Sequence, residues 1–332
     1  MNLNPIPTLK RLLAKVRQLV RHEAAAAPAQ PPATPAATSP LVTTGPLATG
    51  QFLSGRYSHR TGTRDFRLYL PPTDATRTAA PRPLVVMLHG CSQTPDDFAT
   101  GTRMNDAARA GGFLVLYPAQ GALANLQRCW NWFKPGHDPR EPGEAALLAD
   151  LTREVMATHG VDPARVYVAG LSAGGAMAAA LGEAHPALFA AVGIHSGVPT
   201  GLAQDVISAM RVMKSGPRTV APRGVVPPPT IVFHGDHDTV VHPGNADAAM
   251  RPFLSLGLRD TTDGVTAQGV AWTCHRVRDG SGRVLAEQWV VHGAGHAWSG
   301  GDAAGTFTLP SGPDATAAMV AFFKAQRLTA SR

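Results

Sequence analysis

The stretch VYVAGLSAGGAMAAALG at 166–182 constrains the fold of this chain most. A β-branched and aromatic run passes through glycines into a long alanine run, which predicts a strand, a sharp turn and a helix. The turn carries the pentapeptide GLSAG at 170–174, a GxSxG pattern. Its small residues allow the strand and helix to close up, so the serine oxygen is exposed above the sheet, beside the positive end of the helix. The pattern predicts Ser172 as a nucleophile.

Short apolar runs alternate with helical patterns along the rest of the chain. Strands are predicted at 66–70, 84–88, 113–117, 165–170, 190–197 and 230–235, and helices at 144–160, 175–184 and 315–327. Near-continuous apolar strands between helices indicate an α/β protein whose mostly parallel sheet is covered by helices on both faces. Segment 270–291 differs, because it is typical of a β-hairpin turned at Asp279-Gly280, which makes the sheet mixed.

The first fifty residues differ in composition from the rest. Residues 1–23 predict a basic amphipathic helix, with Thr8 as its N-cap. Residues 24–50 are rich in Ala, Pro and Thr and predict a linker, so the folded catalytic domain is expected at 51–330. The basic helix suits docking to a surface or membrane through residues 8–22, and packing on the body is the alternative.

The net charge of +7 is concentrated in the N-terminal segment. Residues 1–23 hold five basic residues and one acidic residue, which leaves only +3 for the remainder of the chain. A nearly balanced body does not favour a partner made of nucleic acid. Charges interrupt the apolar stretch that a secretory signal needs, so the N-terminus has no recognisable signal peptide pattern.

A serine hydroxyl needs a base to take its proton and a carboxylate to orient that base. In folds whose nucleophilic serine lies at such a sharp turn between a strand and a helix, the chain order is Ser, then Asp or Glu, then His. TIVFHGDHDTVVHP offers Asp236 and Asp238 after a strand, and QWVVHGAGHAWSGG offers His292 and His296. We favour Asp238, which lies clear of the strand, and His296, which lies in a glycine-rich loop. Asp236 and His292 are the structural alternatives.

Two backbone N–H groups are needed to stabilise a developing oxyanion. One is expected from Ala173, directly after the nucleophile. LVVMLHGCSQ supplies the other at the bend after an early strand, where the amide of Cys91 is the candidate donor. His89 precedes this bend and is interpreted as a residue that braces the loop.

A metal site is the rival interpretation of the segment 234–242. His234, Asp236, His237, Asp238 and His242 all occur there, but no zinc-ligand spacing is present. We therefore predict no metal and no cofactor.

Six blocks of the sequence carry a resemblance to a known family. These blocks are LHGCSQTPDDFA, the single block from YPAQ to CWNWF, RVYVAGLSAGGAM, PALFAAVGIHSGVPTG, HGDHDTVVHP and GAGHAWSGG. They are similar to the polyhydroxybutyrate-depolymerase family of α/β-hydrolase esterases, which is itself similar to feruloyl and acetylxylan esterases. The resemblance covers about residues 55–325. It implies the α/β-hydrolase fold, the triad Ser172, Asp238 and His296, an oxyanion hole at Cys91 and Ala173, and an ester or polyester substrate.

The resemblance has further implications for the cysteines and tryptophans. It suggests a disulfide between Cys91 and Cys129, which leaves Cys274 free, with two buried thiols as the alternative. Trp130 and Trp298 flank the matched blocks, and we expect them to touch the substrate, with core packing as the alternative.

The resemblance suggests an extracellular or periplasmic location, in contrast to the N-terminal pattern. We expect no polymer-gripping module after the last predicted helix. A hydrolase of amides or of an anionic polymer with the same triad is one alternative. A non-catalytic binding protein on the same scaffold is another, and the retained Ser, Asp and His candidates favour catalysis. The oligomeric state is not predicted.

Overall fold

A mixed sheet of ten strands forms the centre of the protein in a computed structural model, which describes residues 50–72, 80–133, 143–217 and 226–329. Its strands are β1 Gln51–His59, β2 Gly62–Leu70, β3 Arg82–Leu88, β4 Leu114–Pro118, β5 Val161–Leu171, β6 Ala191–His195, β7 Thr230–Gly235, β8 Leu258–Val265, β9 Ala271–Arg278 and β10 Val284–Val291. A separate two-stranded sheet pairs β11 Trp298–Ser299 with β12 Thr308–Leu309.

The helices flank this sheet. They are α1 Pro95–Thr102, α2 Met104–Gly111, α3 Glu144–Thr158, α4 Ala173–Ala184, α5 Val206–Ser215, α6 Gly244–Met250 and α7 Ala315–Lys324, with a 3₁₀ turn at Arg251–Phe253. Among the helices that the structure describes, none has the length and apolar character needed to cross a membrane.

The strand order is β1-β2-β4-β3-β5-β6-β7-β10-β9-β8. The central strands β4, β3, β5, β6, β7 and β10 run parallel, and antiparallel pairs complete both ends of the sheet. The carboxyl ends of the parallel strands therefore meet at one edge, where open α/β sheets bind their ligands. This confirms the α/β-hydrolase type of fold, with the mixed sheet that the hairpin predicts.

Both faces of the sheet are buried under helices. In β3, Leu84, Val86 and Leu88 pack with α3 and α4, whereas Val85 and Met87 pack with α1, α2 and α7 on the opposite face. Burial on both faces explains why the central strands are almost continuously apolar rather than alternating.

The six predicted strands and three predicted helices are confirmed, with shifts of a few residues at their ends. The hairpin of β9 and β10 is also confirmed, but its turn is longer than an Asp-Gly pair. The turn spans 279–283. The side chain of Asp279 accepts hydrogen bonds from the amides of Ser281 and Arg283, and Gly282 adopts the left-handed conformation with φ 84°. The helix expected at 8–22 and the linker expected at 24–50 lie outside the described residues, apart from Gly50.

Candidate active site

Ser172 lies at a strained turn between β5 and α4. Its φ of 57° and ψ of −120° are conformations that a side-chain-bearing residue rarely adopts, and such strain is typical of functional sites. A Cβ at Gly170 would lie 2.4 Å from the carbonyl carbon of Gly174, and a Cβ at Gly174 would lie 2.0 Å from the carbonyl oxygen of Leu88. The two glycines of the GxSxG pattern are therefore required by the close approach of β3, β5 and α4.

The backbone of Ser172 is fixed on both sides. Its N–H donates to the carbonyl of His195 at 2.8 Å, and its carbonyl accepts the N–H of Ala176 at 3.0 Å. The hydroxyl has no hydrogen-bond partner within the described part of the chain. Catalytic hydrogen bonds are often long in ligand-free enzymes and tighten only when substrate is bound.

Asp238 and His296 form a buried pair at the same edge of the sheet. His296 Nδ1 lies 2.7 Å from Asp238 Oδ2, and the exposed fractions of the two side chains are 7% and 0%. Asp238 Oδ1 accepts the amides of Val240 and Val241, each at 2.8 Å. This arrangement orients the imidazole and fixes the proton on Nδ1, so that Nε2 is left as the basic nitrogen.

Asp238 is held as a carboxylate by its surroundings. Burial alone would raise its pKa, but the hydrogen bonds from His234 and His296 and from the Val241 amide outweigh burial and lower the pKa well below its ordinary value. His234 Nε2 lies 3.3 Å from Asp238 Oδ2 and 2.8 Å from the Val241 carbonyl, to which it donates. His234 therefore supports the aspartate, a role that the sequence pattern does not indicate.

The two structural alternatives form a pair of their own. Asp236 Oδ2 lies 2.9 Å from His292 Nδ1, and Asp236 Oδ1 accepts the Gly293 amide at 2.7 Å. The second nitrogen of His292 is already bonded to Thr273 Oγ1 at 3.0 Å, and the side chain is 43% exposed. A histidine with both nitrogens engaged in this way cannot serve as the base for Ser172.

The segment 234–242 is the rival candidate for a metal site. Within the described ranges, no group of three or more His, Cys, Asp or Glu side chains is placed to hold a metal ion. His234, Asp236 and Asp238 are engaged in the hydrogen bonds given above. His242 Nδ1 accepts the Gly244 amide at 3.0 Å, and the His237 side chain is 76% exposed.

The candidate oxyanion donors also lie where the sequence places them. Cys91 follows β3 and Ala173 begins α4, and neither backbone N–H donates to another group among the residues the structure covers. The disulfide between Cys91 and Cys129 is confirmed, and Cys274 is free and buried. Ser92 adds a backbone bond to the Gln127 carbonyl at 2.7 Å, so the loop after β3 is attached twice to the segment before Trp130.

The prediction that Trp130 and Trp298 touch the substrate is wrong. Their exposed fractions are 0% and 1%. Trp130 donates from Nε1 to the His89 carbonyl at 2.9 Å, and Trp298 donates to Thr316 Oγ1 at 3.1 Å while its ring stacks on His195. Both rings are part of the core beneath the site. His89 braces the loop, as expected.

Comparison with known proteins identifies the family. A family model described as esterase PHB depolymerase matches residues 64–277, which is more than half of the chain. The chain belongs to this family.

The relatives of this chain include enzymes that are named for different esters. Poly(3-hydroxyalkanoate) depolymerase C of Paucimonas lemoignei is 34% identical over 229 residues, which cover 64% of this chain and 54% of the depolymerase. Feruloyl esterase B of Thermothelomyces thermophilus is 27% identical over 223 residues, which cover 60% of this chain and 74% of that esterase. The chain thus spans about half the length of the first of these two relatives.

The fold has a solved counterpart. The acetyl xylan esterase from Aspergillus awamori matches with a TM-score of 0.62 at 18% identity, covering 84% of this chain and all of that protein. At this level of identity the match shows the fold alone.

A polar cleft of about 550 Å³ lies next to the loop after β3 in this family member. His89, Gln93 and Gln120 form its inner wall, and the arginines Arg56 and Arg128 lie at its lining. Ser172, Asp238 and His296 are not among its lining residues, so the cleft adjoins the candidate active site rather than containing it.

Proposed function

We propose that this chain is a serine esterase that hydrolyses carboxylic esters through Ser172, Asp238 and His296. The observation that carries the proposal is the buried Asp238–His296 pair. The pair lies at the edge of the sheet where Ser172 occupies its strained turn, and it leaves His296 Nε2 available as a base. Membership of the esterase PHB depolymerase family supports the same chemistry.

In the proposed first step, His296 Nε2 removes the hydroxyl proton of Ser172 as the serine oxygen attacks the ester carbonyl. Asp238 holds the imidazole in the required tautomer and stabilises the imidazolium that forms. The imidazolium then protonates the leaving alkoxide, which yields an acyl-enzyme. Water activated by His296 attacks that intermediate and releases the acid.

The oxyanion of the tetrahedral intermediate is assigned to the amides of Cys91 and Ala173. Their N–H groups are free of other described partners, and Ala173 is the first residue of α4, where the helix dipole favours negative charge. The loss of one such donor costs about 10²–10³ in turnover.

We infer that the substrates are short-chain hydroxyalkanoate oligomers, polyesters or related esters. The names of the relatives refer to poly(3-hydroxyalkanoate), feruloyl and acetylxylan esters, which share an ester bond but not an acyl group. The acyl preference is therefore to be measured with a series of esters whose acyl chains increase in length.

The direct test is release of p-nitrophenol from the acetyl, butyryl and octanoyl esters by wild type and Ser172→Ala, with and without a metal chelator. We expect wild type to be active, the chelator to have no effect, and Ser172→Ala to lose at least about 10⁴-fold in kcat. Activity that survives Ser172→Ala, or that disappears with the chelator, would refute the triad and direct attention to residues 234–242. A parallel assay on the p-nitroanilides tests the amidase alternative.

The chain supplies a matched control for the base. His296→Ala should lose activity to a similar extent as Ser172→Ala, whereas His292→Ala should keep activity within a few-fold, because both nitrogens of His292 are engaged away from Ser172. A larger loss in His292→Ala than in His296→Ala would reverse the assignment of the base.

A further inference from the structure

The two peptide groups between His89 and Cys91 are held by hydrogen bonds at every polar end except the Cys91 N–H. In a trans peptide the N–H points opposite to the C=O of the same planar unit. No cis peptide bond occurs in the described ranges. The direction of the Cys91 N–H is therefore set by whatever holds the carbonyl oxygen of Gly90.

Two donors hold that oxygen. His89 Nδ1 lies 2.7 Å from the Gly90 oxygen, and the Gln93 backbone N–H donates to the same oxygen at 3.3 Å. Donation to a carbonyl also polarises the peptide and strengthens its N–H as a donor. Both effects favour Cys91 as a donor to a negative oxygen.

The preceding peptide group, between His89 and Gly90, is held at both ends. Its carbonyl accepts Trp130 Nε1–H at 2.9 Å, and its N–H donates to Gln93 Oε1 at 2.8 Å. Of the four polar ends in these two peptide groups, only the Cys91 N–H has no partner in the part of the chain that the structure describes.

The tautomer of His89 is fixed by the loop after β4. The Gln120 backbone N–H donates to His89 Nε2 at 3.1 Å, so Nε2 is unprotonated and Nδ1 carries the hydrogen that Gly90 accepts. Burial lowers the pKa of His89 to about 4, with smaller and opposing contributions from the hydrogen bond to Gly90 and from the charges of Arg128 and Asp97. The ring therefore stays neutral at neutral pH.

Gln93 connects this loop to a segment beyond His296. It is 3% exposed, and its Nε2 donates to Asp97 Oδ2 at 2.9 Å and to the Thr306 carbonyl at 3.1 Å. Asp97 Oδ1 in turn accepts the Thr306 amide at 2.9 Å. The Gln93 side chain thus has a single orientation in which its oxygen faces Gly90.

We propose that His89 and Gln93 are positioning residues that aim the Cys91 N–H at the oxyanion. This inference rests on the proposed function and adds to it the groups that set the geometry of one donor. Neither side chain is expected to touch the substrate. A merely structural role would instead slow every substrate to the same extent.

The test compares a p-nitrophenyl ester with its thionoester, in which sulfur replaces the carbonyl oxygen. Sulfur accepts hydrogen bonds weakly, so the thionoester gains little from the oxyanion donors. In Gln93→Met and His89→Leu, kcat/KM for the ester should fall about 10²-fold, the size expected for loss of one donor, while that for the thionoester falls much less. His89→Asn retains a side-chain N–H at the position of Nδ1 and should recover at least part of the loss.

Gln288→Met is the matched control, because Gln288 is also a buried glutamine bonded to an aspartate but lies in β10 beside α6. It should leave the ester-to-thionoester ratio of wild type unchanged. If thermal unfolding shows that His89→Leu does not fold, Trp130→Phe is used in its place. It keeps an aromatic side chain, removes the donor to the His89 carbonyl and should lower the same ratio.

An unchanged ratio in folded Gln93→Met and in folded His89→Leu, or in Trp130→Phe if His89→Leu does not fold, would overturn the positioning role while the proposed esterase stands. If wild type hydrolyses no ester, or if Ser172→Ala is as active as wild type, the proposed function itself fails. The two failures are therefore distinguishable within one set of measurements.

Discussion

His89 carries a dependence of stability on pH at the scale of a single residue. Burial lowers its pKa in the folded protein to about 4, from an ordinary value of 6.5. Between these two pH values the His89 side chain is protonated in the unfolded chain but not in the folded protein. The free energy of unfolding therefore falls as pH falls from about 6.5 to about 4. The contribution that is lost is about 3 kcal/mol.

Thermal or urea unfolding of wild type and His89→Asn between pH 7 and pH 4 checks this contribution. The variant should be less stable at pH 7 but should lose less stability on acidification. His195, whose pKa is lowered well below 6.5 by burial, acts in the same direction in both proteins. Parallel curves for the two proteins would show that His89 does not titrate in this way.

Asp238 gives a second prediction at this scale. Asp238→Asn keeps the size of the side chain but cannot hold the His296 tautomer in the same way, so kcat should fall by about 10⁴ while the fold is retained. Asp236→Asn changes the neighbouring, more exposed aspartate, and its kcat should stay within a few-fold of wild type. Ester hydrolysis and far-ultraviolet circular dichroism on the purified variants measure both effects.

Some residues of the candidate site could be predicted from sequence and others could not. Ser172 could be predicted because its requirement is local: a strand, a turn and a helix within a few residues. The role of His234 beside Asp238 depends on the path of a loop, and the burial of Trp130 depends on which strands surround it. Neither contact is present in the pattern of the chain, so sequence reasoning missed the first and misplaced the second.

At the scale of elements, the turn between β5 and α4 is tightly restricted by its neighbours. Gly174→Ala places a Cβ 2.0 Å from the Leu88 carbonyl oxygen, a backbone atom that cannot move without shifting β3. We expect a loss of about 3 kcal/mol in the free energy of unfolding, near the upper end of overpacking effects.

Gly280→Ala is the control for this substitution, since a Cβ there meets no atom within 4 Å and the residue has no positive φ. Its stability should match that of wild type in urea unfolding. Equal stabilities of Gly174→Ala and Gly280→Ala would mean that the approach of α4 to β3 is looser than the contact describes.

Elements that are buried on both faces could be predicted, whereas the edge strand β8 and the short helices α1 and α2 could not. The central strands produce near-continuous apolar runs, whereas β8 is mostly exposed and has no pattern of burial to indicate it. α1 and α2 have only eight residues each, too few for a clear helical period, and they adjoin at Arg103 in a left-handed conformation. Tertiary contacts stabilise these elements, and their own sequences carry no periodic pattern that would predict them.

At the scale of the whole molecule, two leucines next to the disulfide are conspicuously exposed. Leu123 and Leu126 lie in the segment between β4 and Cys129, and Leu126 is 89% exposed while Leu123 is fully exposed. Exposed apolar side chains grouped together often mark a contact surface. If polyester is a substrate, Leu123→Ser with Leu126→Ser should reduce adsorption to polyester particles and leave hydrolysis of soluble esters unchanged.

Depletion of the protein from solution by particles of polyhydroxybutyrate measures adsorption, and p-nitrophenyl butyrate measures soluble turnover. Leu258→Ser is a suitable control, because Leu258 is 80% exposed at the start of the edge strand β8. Equal adsorption by wild type and the double variant would exclude these leucines as the contact.

The order of strands in the sheet also has a consequence for how the protein is made. Cys91, Ser172, Asp238 and His296 follow β3, β5, β7 and β10, which come together only through long-range parallel pairing. Such pairing is slow to form. His296, the proposed base, is synthesised long after Ser172, so we expect ester hydrolysis to begin only after β3, β5, β6, β7 and β10 have paired. The rate at which activity appears during refolding should therefore report the pairing of these parallel strands.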